Sequence, residues 1–181
     1  MADPLSPAVF LDRDGTLMRD VDYCGNPADV EVFFGVSEVL EKLRAGGYKI
    51  IILTNQSGIG RGYFSEDDYR AVENEVARQI GSHLVDATYF CPHGPDQICG
   101  CRKPEPGMAS QAAYDHKVDL ARSFFIGDKD SDIQCGRRAG MKTILVHTGY
   151  GQYADQKAPD FVAQDLAAAA TVVLRGEVMH E

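Results

Sequence analysis

The feature that most constrains the fold of this chain is an alternation of short apolar runs with longer amphipathic segments. Apolar runs that end in polar residues are typical of buried strands, and apolar residues at helical spacing, such as Val36, Val39 and Leu43, are typical of helices packed on a core. Five strands are predicted, in the segments AVFL, YKIIILTNQSG, DATYF, SFFIGDKDSD and KTILVHTG. Helices are predicted in VSEVLEKLRAGG, SEDDYRAVENEVARQIG, PGMASQAAYDHK and SDIQCGRRAGM, with a last one around residues 167–170.

Two of these helices have clear boundary signals. Ser65 stands where an N-cap is expected, and Asp68 three residues later completes a capping-box pattern. Proline is expected in the first turn of the helix in PGMASQAAYDHK. Strands that alternate with helices form a parallel sheet with right-handed crossovers. The sequence therefore predicts an α/β fold, a doubly wound parallel sheet, in a single domain over residues 1–181.

Length and charge limit the classes of function. A chain of 181 residues is long enough for one well-buried domain and rather short for two. The formal net charge of −9 argues against a surface for nucleic acid or for an anionic membrane, although a few local cations could still bind a small anionic substrate. No apolar run approaches the length of a membrane span, and MADPLSPA has no secretory-signal pattern. A cytoplasmic monomer is expected.

Polar residues directly follow three of the predicted strands. They are Asp12 and Asp14 after the first strand, residues 54–56 after the second, and Asp128 and Asp132 after the fourth. Ligands of open parallel sheets bind beyond the carboxyl ends of the strands, where the strand order reverses. A functional site is therefore predicted at this edge of the sheet.

The side chains at this edge favour phosphate chemistry. Asp12, Asp14 and Asp128 could bind Mg²⁺, with Asp14 using its backbone carbonyl. Aspartate can act as a nucleophile, and a second aspartate two positions on could protonate the leaving oxygen and later deprotonate water. Three further residues could bind the phosphate itself, namely Thr54, Lys103 and Lys129.

Each of these patterns also has a purely structural interpretation. The segment DRDGT alone could be an Asx-type turn, and residues 54–55 could be a polar strand end. The segment GDKDSD could be a helix start whose acids favour the dipole, and Lys103 alone would most often be a solvated lysine. All four occur in this order at predicted strand ends, which favours the functional interpretation.

Three of the five cysteines cluster in the segment CPHGPDQICGC. Cys91, His93, Cys99 and Cys101 offer three thiolates and one imidazole, a set that suits a closed, structural Zn²⁺ site. The segment has few apolar residues and could not fold on a core of its own. The alternative is that the cysteines are small buried hydrophobes and that His93 is exposed. Clustering of this kind in a cytosolic chain favours the metal over disulfides.

Four short motifs resemble those of the haloacid dehalogenase-like (HAD) superfamily. They are FLDRDGTL, LTNQSG, CRKP and GDKDSD, and they occur in order over residues 9 to about 150. The longer patterns TNQSGI, CPHGP, CGCRKPEPGM and IGDKDSD resemble the D-glycero-D-manno-heptose-1,7-bisphosphate 7-phosphatase group, whose nearest relatives are the histidinol-phosphate phosphatases. This group has a zinc loop that matches the cysteine segment. The resemblance implies a phosphatase that needs Mg²⁺ and carries Zn²⁺.

The resemblance also implies a role for each matching residue. Asp12 would be the nucleophile and a Mg²⁺ ligand, Asp14 the general acid and base and a second ligand, and Asp128 the third ligand. Thr54 and Lys103 would hold the transferring phosphoryl group. The residues expected to contact substrate are Asp20, Val21, Asp22, Tyr23, Asn55, Gln56, Ser57, Arg102 and Lys129.

The intervals between motifs leave no room for a separate cap domain, so an open site is expected, with residues 20–23 and the zinc loop at residues 91–101 as its rim. The expected substrate is a phosphorylated sugar, heptose 1,7-bisphosphate cleaved at its 7-phosphate in heptose biosynthesis. Histidinol phosphate is the alternative, because the spacer between His93 and Cys99 is short, as in that branch, whereas KPEPGM is typical of the heptose enzymes. A non-catalytic, zinc-stabilised binding module is an alternative of another class. A phosphotransferase would be expected to carry a cap.

Overall fold

The computed structural model describes residues 4–176, and every strand in that part of the chain belongs to one sheet. The strands are β1 (Ala8–Leu11), β2 (Lys49–Asn55), β3 (Ala87–Cys91), β4 (Phe124–Gly127), β5 (Lys142–Val146) and β6 (Phe161–Ala163). The helices are α1 (Val36–Ala45), α2 (Ser57–Gly60), α3 (Glu66–Ile80), α4 (Gly107–His116), α5 (Asp130–Arg138) and α6 (Leu166–Gly176). All neighbouring strands are parallel, in the order β3-β2-β1-β4-β5-β6. Within residues 4–176, no helix combines the length and the apolar surface that a bilayer crossing requires.

The predicted α/β fold with a doubly wound parallel sheet is confirmed, and the sheet has one strand more than predicted. The sixth strand, β6, has only three residues, and two of them, Phe161 and Val162, remain exposed at the sheet edge. So short a run at an edge shows no apolar periodicity, which is why the sequence pattern misses it. At the start of α4, Pro106 is the N-cap and precedes the first turn instead of lying within it.

The capping box predicted for α3 is confirmed. Asp68 N–H donates a hydrogen bond to Ser65 Oγ (3.1 Å), and Ser65 N–H donates one to Asp68 Oδ2 (2.8 Å). The two bonds satisfy backbone donors that would otherwise have no partner at the helix start. They fix where α3 begins and therefore which of its residues face the sheet.

Helices cover both faces of the sheet. Side chains alternate along β1, so that Val9 and Leu11 pack in the core with α1, α3 and α6, whereas Ala8 and Phe10 pack with α4 and α5. All four side chains are fully buried. Burial of a large apolar side chain contributes about 1.5–3 kcal/mol. The carboxyl end of β1 is therefore a well-fixed point in the molecule.

The strand order reverses beside β1. The chain runs outward from β1 through β2 to β3 and then returns to place β4 on the other side of β1. Asp12 N–H donates a hydrogen bond to the Ile126 carbonyl (3.0 Å), which keeps the first residue after β1 against β4. The crevice that forms at such a reversal is where ligands of open α/β sheets bind.

Candidate active site

A buried lysine joins three chain segments at the carboxyl edge of the sheet. The Lys103 ammonium lies 2.7 Å from Asp12 Oδ1 and 2.8 Å from Asp132 Oδ1, and it donates a hydrogen bond to the Leu53 carbonyl (2.7 Å). Burial favours the neutral amine, but the charges of Asp12 and Asp132 outweigh it and raise the pKa of Lys103 above its ordinary value. A permanent cation is thus placed beside Asp12.

Asp12 is the first residue after β1, and only 4% of it is exposed. Burial opposes its ionisation, but the positive charges of Lys103 and Lys129 lower the pKa of Asp12 below its ordinary value. The residue also lines a small cavity of about 40 Å³. An ionised carboxylate at a cavity wall is the state that nucleophilic attack requires.

Asp12, Asp128 and Asp132 form what we call the three-carboxylate group. One oxygen atom from each lies within 4.8 Å of the others, and all three residues are buried. Burial, reinforced by the charges of Asp12 and Asp132, raises the pKa of Asp128 to about 8. Asp128 Oδ1 is buried and has no hydrogen-bond partner among the described residues. A bound cation would relieve this repulsion, and a hard oxygen-binding ion such as Mg²⁺ fits the donor set.

Two glycines allow Asp128 to approach the loop after β1. A Cβ atom at Gly15 or at Gly149 would lie 2.2 Å from Asp128 Oδ2, and both glycines have left-handed backbone, with φ of +91° and +57°. The same oxygen accepts a hydrogen bond from Tyr150 N–H (2.8 Å). The glycine of DRDGT is therefore needed for close packing against the three-carboxylate group.

The side chain of Asp14 lies outside the three-carboxylate group. Its carboxylate accepts hydrogen bonds from Arg13 Nε (3.1 Å), Arg13 Nη2 (3.2 Å) and Gln56 Nε2 (3.0 Å). It is partly exposed and lines the same small cavity as Asp12. The structure thus brings Asp14 to the site but places Asp132, which was not a predicted ligand, among the clustered carboxylates. Ligation by Asp14 stays a prediction that depends on its backbone carbonyl.

The polar residues at the end of β2 hold the site together. Gln56 Nε2 donates hydrogen bonds to Asp14 Oδ2 and to Thr54 Oγ1 (2.8 Å), so the Thr54 hydroxyl hydrogen remains available for a phosphoryl oxygen. The Asn55 side-chain amide pairs twice with the backbone of Lys103, at 3.0 Å each. Asn55 and Gln56, predicted as substrate contacts, therefore have internal partners as well, and their contact with substrate stays a prediction.

A cavity of about 310 Å³ opens outward from the site. It is lined by eight of the nine residues predicted to contact substrate: Asp20, Asp22, Tyr23, Asn55, Gln56, Ser57, Arg102 and Lys129. The ninth, Val21, packs against the core instead. The smaller cavity beside Asp12 shares Asp14, Asn55 and Lys129 with this outer cavity.

The loop at residues 20–23 is tied to the opposite wall of the outer cavity. Asp20 Oδ2 pairs with Lys129 Nζ (2.9 Å), and the Tyr150 hydroxyl donates a hydrogen bond to Asp22 Oδ1 (3.0 Å). Asp22 and Tyr23 have φ of +50° and +59°. Left-handed backbone costs a non-glycine residue roughly 1–2 kcal/mol. The two contacts hold the loop in a conformation that its own backbone disfavours.

Cys91, His93, Cys99 and Cys101 also come together, and we call them the Cys/His group. Cys91 Sγ lies 3.1 Å from Cys101 Sγ and 3.7 Å from Cys99 Sγ. His93 Nδ1 lies 3.4 Å from Cys91 Sγ and 3.3 Å from Cys101 Sγ, and the residue is half-buried. Tetrahedral ligands about 2.3 Å from zinc stand roughly 3.8 Å apart. These separations of 3.1–3.7 Å are slightly shorter, so the group could take such an ion if its atoms moved a little apart.

Comparison with known proteins identifies the family of this chain. A HAD-hydrolase-like family model matches residues 100–169. The chain is 45% identical over 141 residues to a probable D-glycero-D-manno-heptose-1,7-bisphosphate 7-phosphatase of Thermoplasma acidophilum, a match that covers 76% of this chain and 88% of the relative. It is 41% identical over 145 residues to the D-glycero-β-D-manno-heptose-1,7-bisphosphate 7-phosphatase of Helicobacter pylori, covering 78% and 83%. The chain belongs to the heptose-1,7-bisphosphate 7-phosphatase family.

Solved structures agree with this family assignment. The D,D-heptose 1,7-bisphosphate phosphatase from B. bronchiseptica, complexed with magnesium and phosphate, superposes with a TM-score of 0.86 and is 34% identical; the match covers 94% of this chain and 99% of that one. The resemblance to the heptose-1,7-bisphosphate 7-phosphatase family drawn from the motifs is thus confirmed.

Arg13, Ser131 and Tyr150 were not predicted at the site, and Asp132 was predicted at this edge of the sheet but was given no role there. Asp132 is the last acid of GDKDSD, and its spacing of four from Asp128 at a helix start could have suggested a second inward-facing carboxylate. Tyr150 stands between two glycines after β5, a sign of close backbone approach. No sequence signal shows that Arg13 is buried, because a charged residue is ordinarily exposed to solvent.

Proposed function

We propose that this chain is a Mg²⁺-dependent phosphatase that removes the 7-phosphate of D-glycero-D-manno-heptose 1,7-bisphosphate through an aspartyl phosphate on Asp12. The observation that carries the proposal is the buried Asp12 carboxylate, kept ionised by Lys103 at 2.7 Å and open to a cavity. The substrate is proposed from the names of the relatives.

Asp12, Asp128 and the backbone carbonyl of Asp14 would hold Mg²⁺; Asp128 Oδ1, a buried oxygen without a hydrogen-bond partner or an ion pair among the described residues, supports the assignment. Asp132 has other partners, since it pairs with Lys103 and accepts a hydrogen bond from Lys129 N–H (3.1 Å). When bound, Mg²⁺ would neutralise charge on the phosphate and screen the carboxylates from one another.

In the first half-reaction, a carboxylate oxygen of Asp12 attacks phosphorus, and the bond between phosphorus and the sugar oxygen breaks. Lys103 and Thr54 donate hydrogen bonds to the phosphoryl oxygens. The electron pair of the broken bond stays on the sugar oxygen, which takes a proton from Asp14. The sugar leaves as an alcohol, and an acyl phosphate remains on Asp12.

In the second half-reaction, Asp14 accepts a proton from water as the water oxygen attacks phosphorus. The bond between phosphorus and Asp12 breaks, its electron pair returns to the Asp12 carboxylate, and inorganic phosphate leaves. Asp12 carries the phosphoryl group between the two half-reactions, and Asp14 gives up a proton in the first and regains one in the second. Two aspartates two positions apart therefore serve two different roles.

The Cys/His group would hold a structural Zn²⁺. All four ligand positions come from the protein, so no position is left open for catalysis. Lys103 follows Cys101 by two residues, and the Arg102 side chain donates a hydrogen bond to the His93 carbonyl (3.2 Å). Zinc would thus support the segment that carries the phosphate-binding lysine.

The charges around the outer cavity fit a bisphosphate better than histidinol phosphate. Arg102 and Lys129 line it; Lys129 pairs with Asp20, which leaves Arg102 as a cation that could face a second phosphate. Asp20 and Asp22 could attract the amine of histidinol phosphate, but Lys129 and Tyr150 already engage them. The favoured substrate is therefore the heptose bisphosphate.

Phosphate release with Mg²⁺ tests the proposal, comparing both anomers of heptose 1,7-bisphosphate with histidinol phosphate. The expected result is a kcat/KM several orders of magnitude higher for one heptose anomer. A preference for histidinol phosphate would reassign the substrate and leave the chemistry unchanged. No Mg²⁺-dependent hydrolysis of any ester, including a generic aryl phosphate, would support a binding module instead.

Several expectations from the sequence stay predictions beside this proposal. They are the cytoplasmic location, the monomeric state, the lack of nucleic-acid and membrane partners, and the treatment of residues 1–181 as one domain with a zinc loop.

A further inference from the structure

Arg13 is a fully buried cation between the two aspartates of DRDGT. Its side chain has no exposed surface, and its guanidinium stands 5.6 Å from the centre of the Tyr69 ring. Burial alone would lower the pKa of Arg13, but Asp14 and Glu73 outweigh it and raise that pKa. A buried guanidinium is retained only where its N–H groups are matched by acceptors.

The N–H groups of Arg13 are divided between two carboxylates. Nε and Nη2 donate to the two oxygens of Asp14 at 3.1 and 3.2 Å, and Nη1 donates to Glu73 Oε2 at 3.3 Å. Contact with both oxygens fixes the rotation of the Asp14 carboxylate as well as its position.

Glu73 is itself held from behind by the scaffold. Its Oε1 accepts a hydrogen bond from the Thr88 hydroxyl on β3 (3.0 Å), and its Oε2 accepts one from the Tyr69 hydroxyl on α3 (3.4 Å). The orientation of the Arg13 guanidinium is therefore fixed by α3 and β3, which take no part in the proposed chemistry.

We infer that Arg13 and Glu73 are positioning residues that set the orientation of Asp14 toward the leaving oxygen. The inference rests on the proposed function, in which Asp14 protonates that oxygen. Because Glu73 holds the Arg13 guanidinium in place, the hydrogen bonds from Arg13 fix the direction in which the Asp14 carboxylate faces. Gln56 contacts the same carboxylate from a second direction (3.0 Å) and completes its placement.

A positioning role differs from a merely structural one in its dependence on the leaving group. An alkoxide, as released from a sugar phosphate, needs a proton during bond cleavage, whereas 4-nitrophenolate leaves readily without one. Misplacement of Asp14 should therefore slow the sugar phosphate selectively. General distortion of the site would slow both esters, since both need Asp12 and Lys103.

The test compares kcat/KM for heptose 1,7-bisphosphate and for 4-nitrophenyl phosphate in Glu73→Gln, Arg13→Lys and Asp14→Asn. This parameter reports the steps up to transfer to Asp12 and so excludes the second half-reaction. Glu75→Gln is the matched control, because Glu75 lies on the same helix with the same side-chain exposure of 21% but pairs with Arg78. Melting temperatures verify that each variant is folded.

We expect Glu73→Gln to lower kcat/KM about tenfold for the heptose ester and less than about twofold for the aryl ester, a part of the roughly 10²–10⁴-fold that general acid catalysis supplies. Arg13→Lys should show the same selectivity with a larger loss, and Glu75→Gln should leave kcat/KM unchanged for both esters.

An equal loss on both esters, or no loss, in folded Glu73→Gln overturns the positioning role. If Asp14→Asn itself shows no selectivity while Asp12→Asn is inactive, the proposed acid role of Asp14 fails and the inference fails with it. If Asp12→Asn remains active, the proposed function fails as well.

Discussion

The three-carboxylate group and the Cys/His group can each hold a cation, but the chain builds them in opposite ways. Asp12 and Asp128 directly follow two strands more than a hundred residues apart, Asp132 lies in the first turn of α5, and the fold brings all three together. The Cys/His group lies within eleven consecutive residues that contribute little apolar surface to the core. The first group is a product of the fold, whereas the second is local in sequence and, under the proposal above, would rely on its zinc ion to hold the segment together.

This difference assigns different tasks to the two proposed metals. Mg²⁺ would bind to a site that the hydrophobic core already holds, so its loss should stop the chemistry and leave the structure intact. Zn²⁺ would supply cohesion that the segment lacks, because ligand binding and local folding are coupled in such sites. Lys103 connects the two, since it follows the Cys/His group in sequence and contacts the three-carboxylate group in space.

The largest effect is expected from Asp12→Asn. The amide is a poor nucleophile, so phosphate release should fall by roughly 10⁴-fold or more. The substitution changes no volume in the core, and Asp132 remains to pair with Lys103, so the melting temperature should change little. Near-normal turnover in this variant would rule out the covalent mechanism.

Zinc removal tests whether the Cys/His group supports catalysis from outside the site. After chelation and return of Mg²⁺ alone, activity should stay about 10²-fold low, because a displacement of Lys103 by about 1 Å is enough for such a loss. Return of both ions should restore it. Recovery with Mg²⁺ alone would show that the sheet places Lys103 without help from the loop.

The stability of the metal-free protein is expected to depend on pH because of the three-carboxylate group. The pKa of Asp128 rises from 3.8 to about 8 on folding, so between these values the folded protein binds a proton that the unfolded chain does not. The free energy of unfolding should therefore fall as pH rises from about 4 to about 8.

Thermal melts with and without Mg²⁺ at pH 5 and pH 8 measure this dependence. Mg²⁺ should raise the melting temperature more at pH 8, and Asp128→Asn should remove that difference. An equal effect of Mg²⁺ at both values would contradict binding at the three-carboxylate group.

The smallest effect concerns the rim of the outer cavity. Tyr150→Phe removes the hydrogen bond to Asp22, worth about 1 kcal/mol, from a loop with left-handed backbone. We expect KM for the heptose ester to rise about fivefold, with kcat nearly unchanged. Tyr153→Phe, at an exposed position nearby, is the control. A fall in kcat without a change in KM would place Tyr150 in the chemistry instead.

Much of the site could be predicted because strand ends in a parallel sheet share one edge. That rule alone brings Asp12, Thr54 and Asp128 together, and the structure places all three there. The rule says nothing about side-chain direction. It could not show that the Asp14 carboxylate turns toward Arg13, or that Val21 leaves the cavity wall for the core.

Local patterns and long-range packing thus determined different parts of this protein. The sequence by itself determined the strand and helix alternation, the capping box of α3 and the Cys/His group, because each depends on residues a few positions apart. Only the tertiary structure decided that Lys103 pairs with Asp132 as well as Asp12, and that Arg13 is buried against Glu73. Those pairs join residues 29 and 60 positions apart, and the attraction within each pair becomes strong only once folding has removed water from around the charges.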